Sequence, residues 1–181
     1  MIQKSFLFGI LLLSASTFSV SATRLGDAAP PVKLNEWLKG TPVDLKDPKK
    51  IYVVEFWATW CGPCKISIPK LTEAQSTFKD KNVVVIGVSA EECDVVKPFV
   101  NRMGDQMAYT VGCDNEEKST YASYMNGFSQ NGIPHAFIVK EGKVIWHGNP
   151  LVDPVESALF DITTGKYDLA AAKAKDEPRA L

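Results

Sequence analysis

The sequence carries almost no surplus charge: 20 Lys and Arg stand against 21 Asp and Glu, a formal net charge of −1. Such a balance gives no support for nucleic-acid binding or for a basic patch directed at an anionic membrane. No block of like charge marks an interaction tail. Cysteine is scarce, four residues in 181, and histidine scarcer, with only His135 and His147. Cys61 and Cys64 stand close together, whereas Cys93 and Cys113 are single and widely spaced. A structural zinc site takes four ligands, and the second pair is missing. Long apolar runs are also missing. Residues 6–13 are apolar, but Ser14, Ser16, Thr17, Ser19 and Ser21 interrupt the stretch, well short of the about 18 residues that a membrane span needs. Internal repeats and a second domain are not evident. What remains, 45% hydrophobic and 23% charged residues, describes one ordinary globular domain long enough to bury a core.

Residues 1–22 do not belong to that domain. Lys4 is their only charge, an apolar stretch follows, and Val20-Ser21-Ala22 offers small residues before a cut. This is the anatomy of a cleaved signal peptide, and no cysteine follows Ala22 to take a lipid. The mature chain is expected to be soluble and periplasmic or secreted. Disulfides persist in such compartments, so cysteines there can be redox-active or paired.

The chain is organised around residues 51–65, Ile-Tyr-Val-Val-Glu-Phe-Trp-Ala-Thr-Trp-Cys-Gly-Pro-Cys-Lys. Its first half is rich in β-branched and aromatic residues and too short for a buried helix, which predicts a buried strand. After Cys61-Gly62-Pro63-Cys64 a helical pattern begins. Unpaired N–H groups and the dipole at a helix N-terminus stabilise a thiolate, lowering its pKa from about 8.5 toward about 7. Two intervening residues let the cysteines close a small reversible disulfide. Gly62 is read as permitting the tight turn, and Pro63 as presetting a helical φ where no N–H is needed. Cys61 is the expected nucleophile and the more exposed of the two; Cys64, one turn in, would resolve the mixed disulfide.

Glu55 stands in an otherwise apolar strand. Burying it ionised is costly, so its pKa should rise well above about 4.3. The alternative is an edge-strand glutamate facing solvent, which the flanking Val53, Val54, Phe56 and Trp57 argue against. Trp57 reads as core, and Trp60, beside Cys61, as rim. His135 could lower a thiol pKa or ligate a metal, but a packed or hydrogen-bonded strand residue is favoured. His147 has no evident partner. Cys93 and Cys113 follow strands expected to lie side by side, within the about 4.4 to 6.8 Å Cα separation of a disulfide. A structural disulfide, a relay with the active cysteines and two buried thiols all remain open.

The stretch Glu55-Phe-Trp-Ala-Thr-Trp-Cys-Gly-Pro-Cys-Lys65 resembles the active-site segment of thioredoxins. More widely, residues 27–160 resemble the exported thioredoxin-like thiol–disulfide oxidoreductases of the TlpA/ResA kind. The resemblance implies an α/β fold, a three-layer α/β/α sandwich on a mixed central sheet, with an N-terminal hairpin extension and a βα-type insertion before a cis-proline loop. It places Glu55 where thioredoxins carry a buried aspartate that exchanges a proton with the second cysteine. It makes Pro134 the cis-proline opposite the cysteines, with Ile133 pairing with substrate main chain. Trp60, Gly62, Pro63, Ile133 and Pro134 would then form the substrate surface. It implies no cofactor beyond the Cys61–Cys64 disulfide and no resident metal, with a monomer as the working unit. The partners would be disulfide-containing exported proteins and a membrane thiol electron donor. The Gly-Pro dipeptide and Ile133 point to a reductant; an oxidant or isomerase is the alternative. A copper metallochaperone would use the cysteine pair with His135, but that pattern spaces its cysteines by three residues. A peroxiredoxin would need P-x-x-x-[ST]-x-x-C, which neither Cys61 nor Cys64 provides.

In chain order, residues 32–38 and 43–45 are expected to form the hairpin around a Gly40-Thr41 turn. A helix should run from Gly62 to about Lys79, kinked near Pro69, and a buried strand over 82–89. A helix over 92–103 with Pro98 early in it, a strand over 109–113 and a helix over 116–125 make the insertion. Strands over 136–139 and 144–147 form a hairpin, and a helix over 153–163 closes the domain at 164. Residues 165–181 are read as a flexible tail, either a frayed helix or disordered.

Overall fold

The computed structural model describes residues 23–176. The stretch read as a signal peptide and residues 177–181 lie outside the described residues. Six strands form one mixed sheet in the order β1-β4-β3-β2-β5-β6. β2 (Ile51–Trp57) is buried along its whole length, the consequence of a run that is apolar at every position but Glu55. It pairs in parallel with β3 (Val83–Ser89) and antiparallel with β5 (His135–Lys140). β4 (Thr110–Asp114) continues the parallel part, and β6 (Lys143–Gly148) closes a hairpin with β5.

Each face of the sheet carries its own core. Val53, Trp57, Val85, Val111 and Ile138 pack beneath α1 (Gly62–Thr77), α2 (Cys93–Met103) and α4 (Val155–Thr164). Tyr52, Val54, Phe56, Ile86, Phe137 and Val139 face the other way, onto Tyr124, Met125 and Phe128. Such alternation is what a period of two residues demands of a sheet covered on both sides.

Four expectations are corrected. The N-terminal hairpin does not form: β1 (Leu34–Lys39) pairs antiparallel with β4 rather than with residues 43–45. Gly112 makes this possible, because a Cβ there would lie 2.7 Å from the Glu36 carbonyl oxygen. Pro98 is the sixth residue of α2 rather than an early one. The helix expected over 116–125 is one short turn, α3 (Ser119–Tyr121), continuing as a π-helix over Ala122–Asn126. Asp114 holds that turn by accepting from the N–H groups of Thr120 and Tyr121. The flexible tail is the fourth. After Gly165, α5 (Leu169–Asp176) forms and returns to the sheet, where Tyr167 donates to the Ile145 carbonyl and Asp176 meets His147.

Cys93, at the start of α2, and Cys113, in β4, are joined by a disulfide with a Cα separation of 5.5 Å. The two positions are 20 residues apart. A loop of that length predicts that replacing both cysteines by Ser lowers stability by about 3 kcal/mol. Denaturant unfolding of wild type and the double variant measures this; a change below about 1 kcal/mol would show that the bridge adds little.

Candidate active site

The site is assembled where β2 ends and α1 begins. Cys61 is the N-cap of α1, and its Sγ accepts from the Cys64 N–H at 3.1 Å. The two cysteines are joined as a disulfide, Cα to Cα 5.2 Å. In this oxidised form Cys61 is only 3% exposed and Cys64 0%, so the greater exposure expected of Cys61 is slight. Gly62 and Pro63 open the helix on an exposed face. Gly62 has no left-handed φ, and a Cβ there would meet nothing within 4 Å. The turn therefore does not require glycine, contrary to the sequence reading. Trp60 stands 72% exposed beside the disulfide, whereas Trp57 is buried against Phe99, ring centroids 5.1 Å apart.

Opposite the disulfide, the loop entering β5 brings the Ile133 carbonyl oxygen to 3.7 Å from Cys61 Sγ. The Ile133–Pro134 peptide is cis. Beneath, Glu55 is fully buried in the middle of β2. Its carboxyl accepts from Ser67 Oγ at 2.9 Å and from Tyr109 OH at 3.0 Å. Burial pushes its pKa up to about 8, against the opposing pull of those two hydrogen bonds. The solvent-facing alternative is thereby excluded. Glu55 reaches Cys64 not directly but by way of Ser67, whose hydroxyl also lies 3.1 Å from the Cys64 carbonyl oxygen.

Residues 25–147 match the AhpC/TSA family. The chain belongs to this thioredoxin-like family. Among its relatives is the thiol–disulfide oxidoreductase ResA of Bacillus anthracis, 33% identical over 145 residues that cover 77% of this chain and 79% of that one. The fold agrees with the thioredoxin domain of a thiol–disulfide oxidoreductase from Bacteroides vulgatus, with TM-score 0.63 and 24% identity over 78% of this chain and 99% of that one. A thioredoxin-family thiol:disulfide interchange protein from Chlorobium tepidum matches at TM-score 0.55 and 26% identity, over 79% and 96%. With a Cys-x-x-Cys disulfide at a helix N-terminus, membership of this group makes the chain a thiol–disulfide oxidoreductase.

Two features of this family member were not legible from sequence. His135 is the packed, hydrogen-bonded strand residue that its sequence context favours, but the partner was not foreseeable: its Nε2 lies 3.1 Å from His147 Nδ1. His147 Nε2 in turn meets Asp176 at 2.8 Å. Burial, with His147 beside it, lowers the His135 pKa to about 4; at neutral pH it offers no charge to a thiolate. The second feature is Glu91. Its carboxylate accepts from Thr59 N–H (2.6 Å), Thr59 Oγ1 (2.8 Å) and Ser89 Oγ (3.1 Å), holding the loop that leads into Cys61. Nothing in the spacing of Glu91 singles it out from its neighbour Glu92; only the sheet register, with Ser89 beside both Trp57 and Cys113, brings it there.

Proposed function

We propose that the protein is an exported protein-disulfide reductase. The observation that carries this reading is the Cys61–Cys64 disulfide at the N-terminus of α1, facing the Ile133 carbonyl at 3.7 Å. In the reduced enzyme, the Cys61 thiolate attacks one sulfur of a substrate disulfide. That bond breaks, a Cys61–substrate disulfide forms, and the other substrate sulfur leaves. Cys64 then gives its proton to Glu55 and attacks Cys61 Sγ, releasing the second substrate thiolate and closing the Cys61–Cys64 disulfide. Trp60, Gly62 and Pro63 form one wall for the substrate, and Ile133 and Pro134 the other, with the Ile133 backbone available to pair with an extended chain. A dithiol donor in the membrane restores the reduced state by the reverse exchange, and a protonated Glu55 holds the proton that Cys64 then needs.

Export rests on residues 1–22 and on the second disulfide, Cys93–Cys113, which suits a compartment outside the cytosol. The substrates are disulfides in other exported proteins, apocytochrome c being one family-typical option. The enzyme acts as a monomer, with no nucleic-acid partner and no cofactor beyond its own disulfide. Direction is tested by the Cys61–Cys64 reduction potential, measured by equilibrating the mature domain in graded thiol/disulfide buffers and trapping with an alkylating reagent. A value near about −270 mV is expected; one of about −180 to −120 mV would make the protein an isomerase or oxidant instead.

A further inference from the structure

The surroundings of Glu55 are built from parts that the proton transfer itself does not need. Tyr109, at the entrance to β4, is 3% exposed and puts its hydroxyl 3.0 Å from Glu55 Oε2. Ser67, on α1 and fully buried, puts its hydroxyl 2.9 Å from Oε1. The room for the Tyr109 ring comes from β3. Glu55 stands opposite Gly87 in the parallel register, and a Cβ on Gly87 would lie 3.0 Å from the Tyr109 ring and 3.1 Å from Trp57 Nε1. An added Cβ would require the Tyr109 or Trp57 ring to shift by a few tenths of an ångström. Among the described residues, only burial and these two hydrogen bonds move the proton affinity of Glu55; no lysine, arginine or second carboxylate does.

We infer that Tyr109 and Ser67 are positioning residues for the dithiol reaction, fixing which way the Glu55 carboxyl faces and how readily it takes the proton of Cys64. Tyr109 can donate to Oε2 whether Glu55 is charged or neutral, so it pins one oxygen. Ser67 has one hydroxyl proton and two acceptors within reach, Glu55 Oε1 and the Cys64 carbonyl at 3.1 Å. With Glu55 ionised, that proton goes to the carboxylate. With Glu55 protonated on Oε1, the carboxyl donates to Ser67 Oγ and the serine proton turns to the Cys64 carbonyl. The hydroxyl thus turns over with each proton transfer, and the first turn of α1 is hydrogen-bonded to Glu55 through it in both states.

This rests on Glu55 acting as the proton acceptor, and the test separates the two claims. The enzyme, reduced at Cys61–Cys64, is mixed with an aromatic disulfide whose thiolate absorbs visible light. The first thiolate is released when Cys61 attacks, the second when Cys64 closes the disulfide, and the second release is followed against pH. In wild type it is expected to rise to a plateau with a midpoint near about 8. Tyr109→Phe and Ser67→Ala each remove a donor to the charged carboxylate, so each should move the midpoint upward and slow the release at pH 7 on the order of tenfold. In a Glu55→Gln background neither change should matter further. Carbon-13 titration of the Glu55 carboxyl in the disulfide form must show the same upward displacement, and Ser67→Ala carries the test should Tyr109→Phe fold poorly. An unmoved midpoint, or slowing that persists with Glu55→Gln, would overturn the role of Tyr109 and Ser67. A wild-type profile for Glu55→Gln alone would instead remove Glu55 from the mechanism, and this inference with it.

Discussion

With Cys64 replaced by Ser, the protein is expected to accumulate as a covalent adduct with its substrates. Cys61 remains the N-cap of α1, so its thiolate is still formed and still attacks. The serine hydroxyl cannot displace the substrate sulfur, and the mixed disulfide has no intramolecular exit. Cys61→Ser should do the opposite: no adduct and no turnover, because Cys64 is fully buried behind its partner. Non-reducing electrophoresis of the variants with a disulfide-bonded protein, followed by mass mapping of the linked peptides, distinguishes them. Adducts formed through Cys64 in the Cys61→Ser variant would reverse the assignment of nucleophile and resolver.

Glu55→Gln should separate two properties that one buried carboxyl joins. Catalysis should suffer, because the second exchange loses its proton acceptor, a loss on the order of 100-fold. Stability should improve, and the gain should depend on pH. The Glu55 pKa is about 8 in the folded chain against 4.5 as the ordinary value. Between those two pH values the folded state holds a proton that the unfolded state has released, so the stability Glu55 supports is complete below about 4.5 and is lost as pH rises toward 8. Between pH 5 and pH 8 this loss comes to about 3 kcal/mol. Unfolding curves for wild type should therefore fall across that interval more steeply than those for Glu55→Gln. Parallel curves would mean that Glu55 is not the buried proton holder.

The elements that proved legible were those where a single strong local pattern decided the outcome. The apolar runs of β2 and β3 and the Glu141-Gly142 turn of the β5–β6 hairpin left little room for other structures. The cysteine pair likewise announced a helix N-terminus. Legibility failed where a partner distant in sequence did the choosing. β1 has a mixed, half-exposed pattern, and nothing local says that it prefers β4 to residues 43–45; the accommodating Gly112 lies far along the chain. α5 has no buried residues of its own, so its pattern reads as a solvated tail until Asp176 finds His147. In the site, Glu55 betrayed itself by being an acid among apolar neighbours. Its partners Ser67 and Tyr109 are ordinary residues for a helix and a strand entrance, and only the fold brings them to one carboxyl.

The last segment of the fold also bears on how the molecule coexists with its clients. β6 would be an open sheet edge, but Gly26 donates to Val144, Val144 donates to Asp27, and Ala28 bridges Lys143, while α5 lies alongside. The opposite edge, β1, is short, broken by two register shifts, and bears Glu36 and Lys39. Rows of unpaired backbone groups invite other chains to add a strand, and coverage, bulges and charges are the usual deterrents. A thiol–disulfide oxidoreductase acts on proteins at the moment when their disulfides are open and their strands unpaired. With both borders guarded, a chain held through the Ile133 backbone, as proposed above, would then be let go rather than recruited into an intermolecular sheet that ends in aggregation.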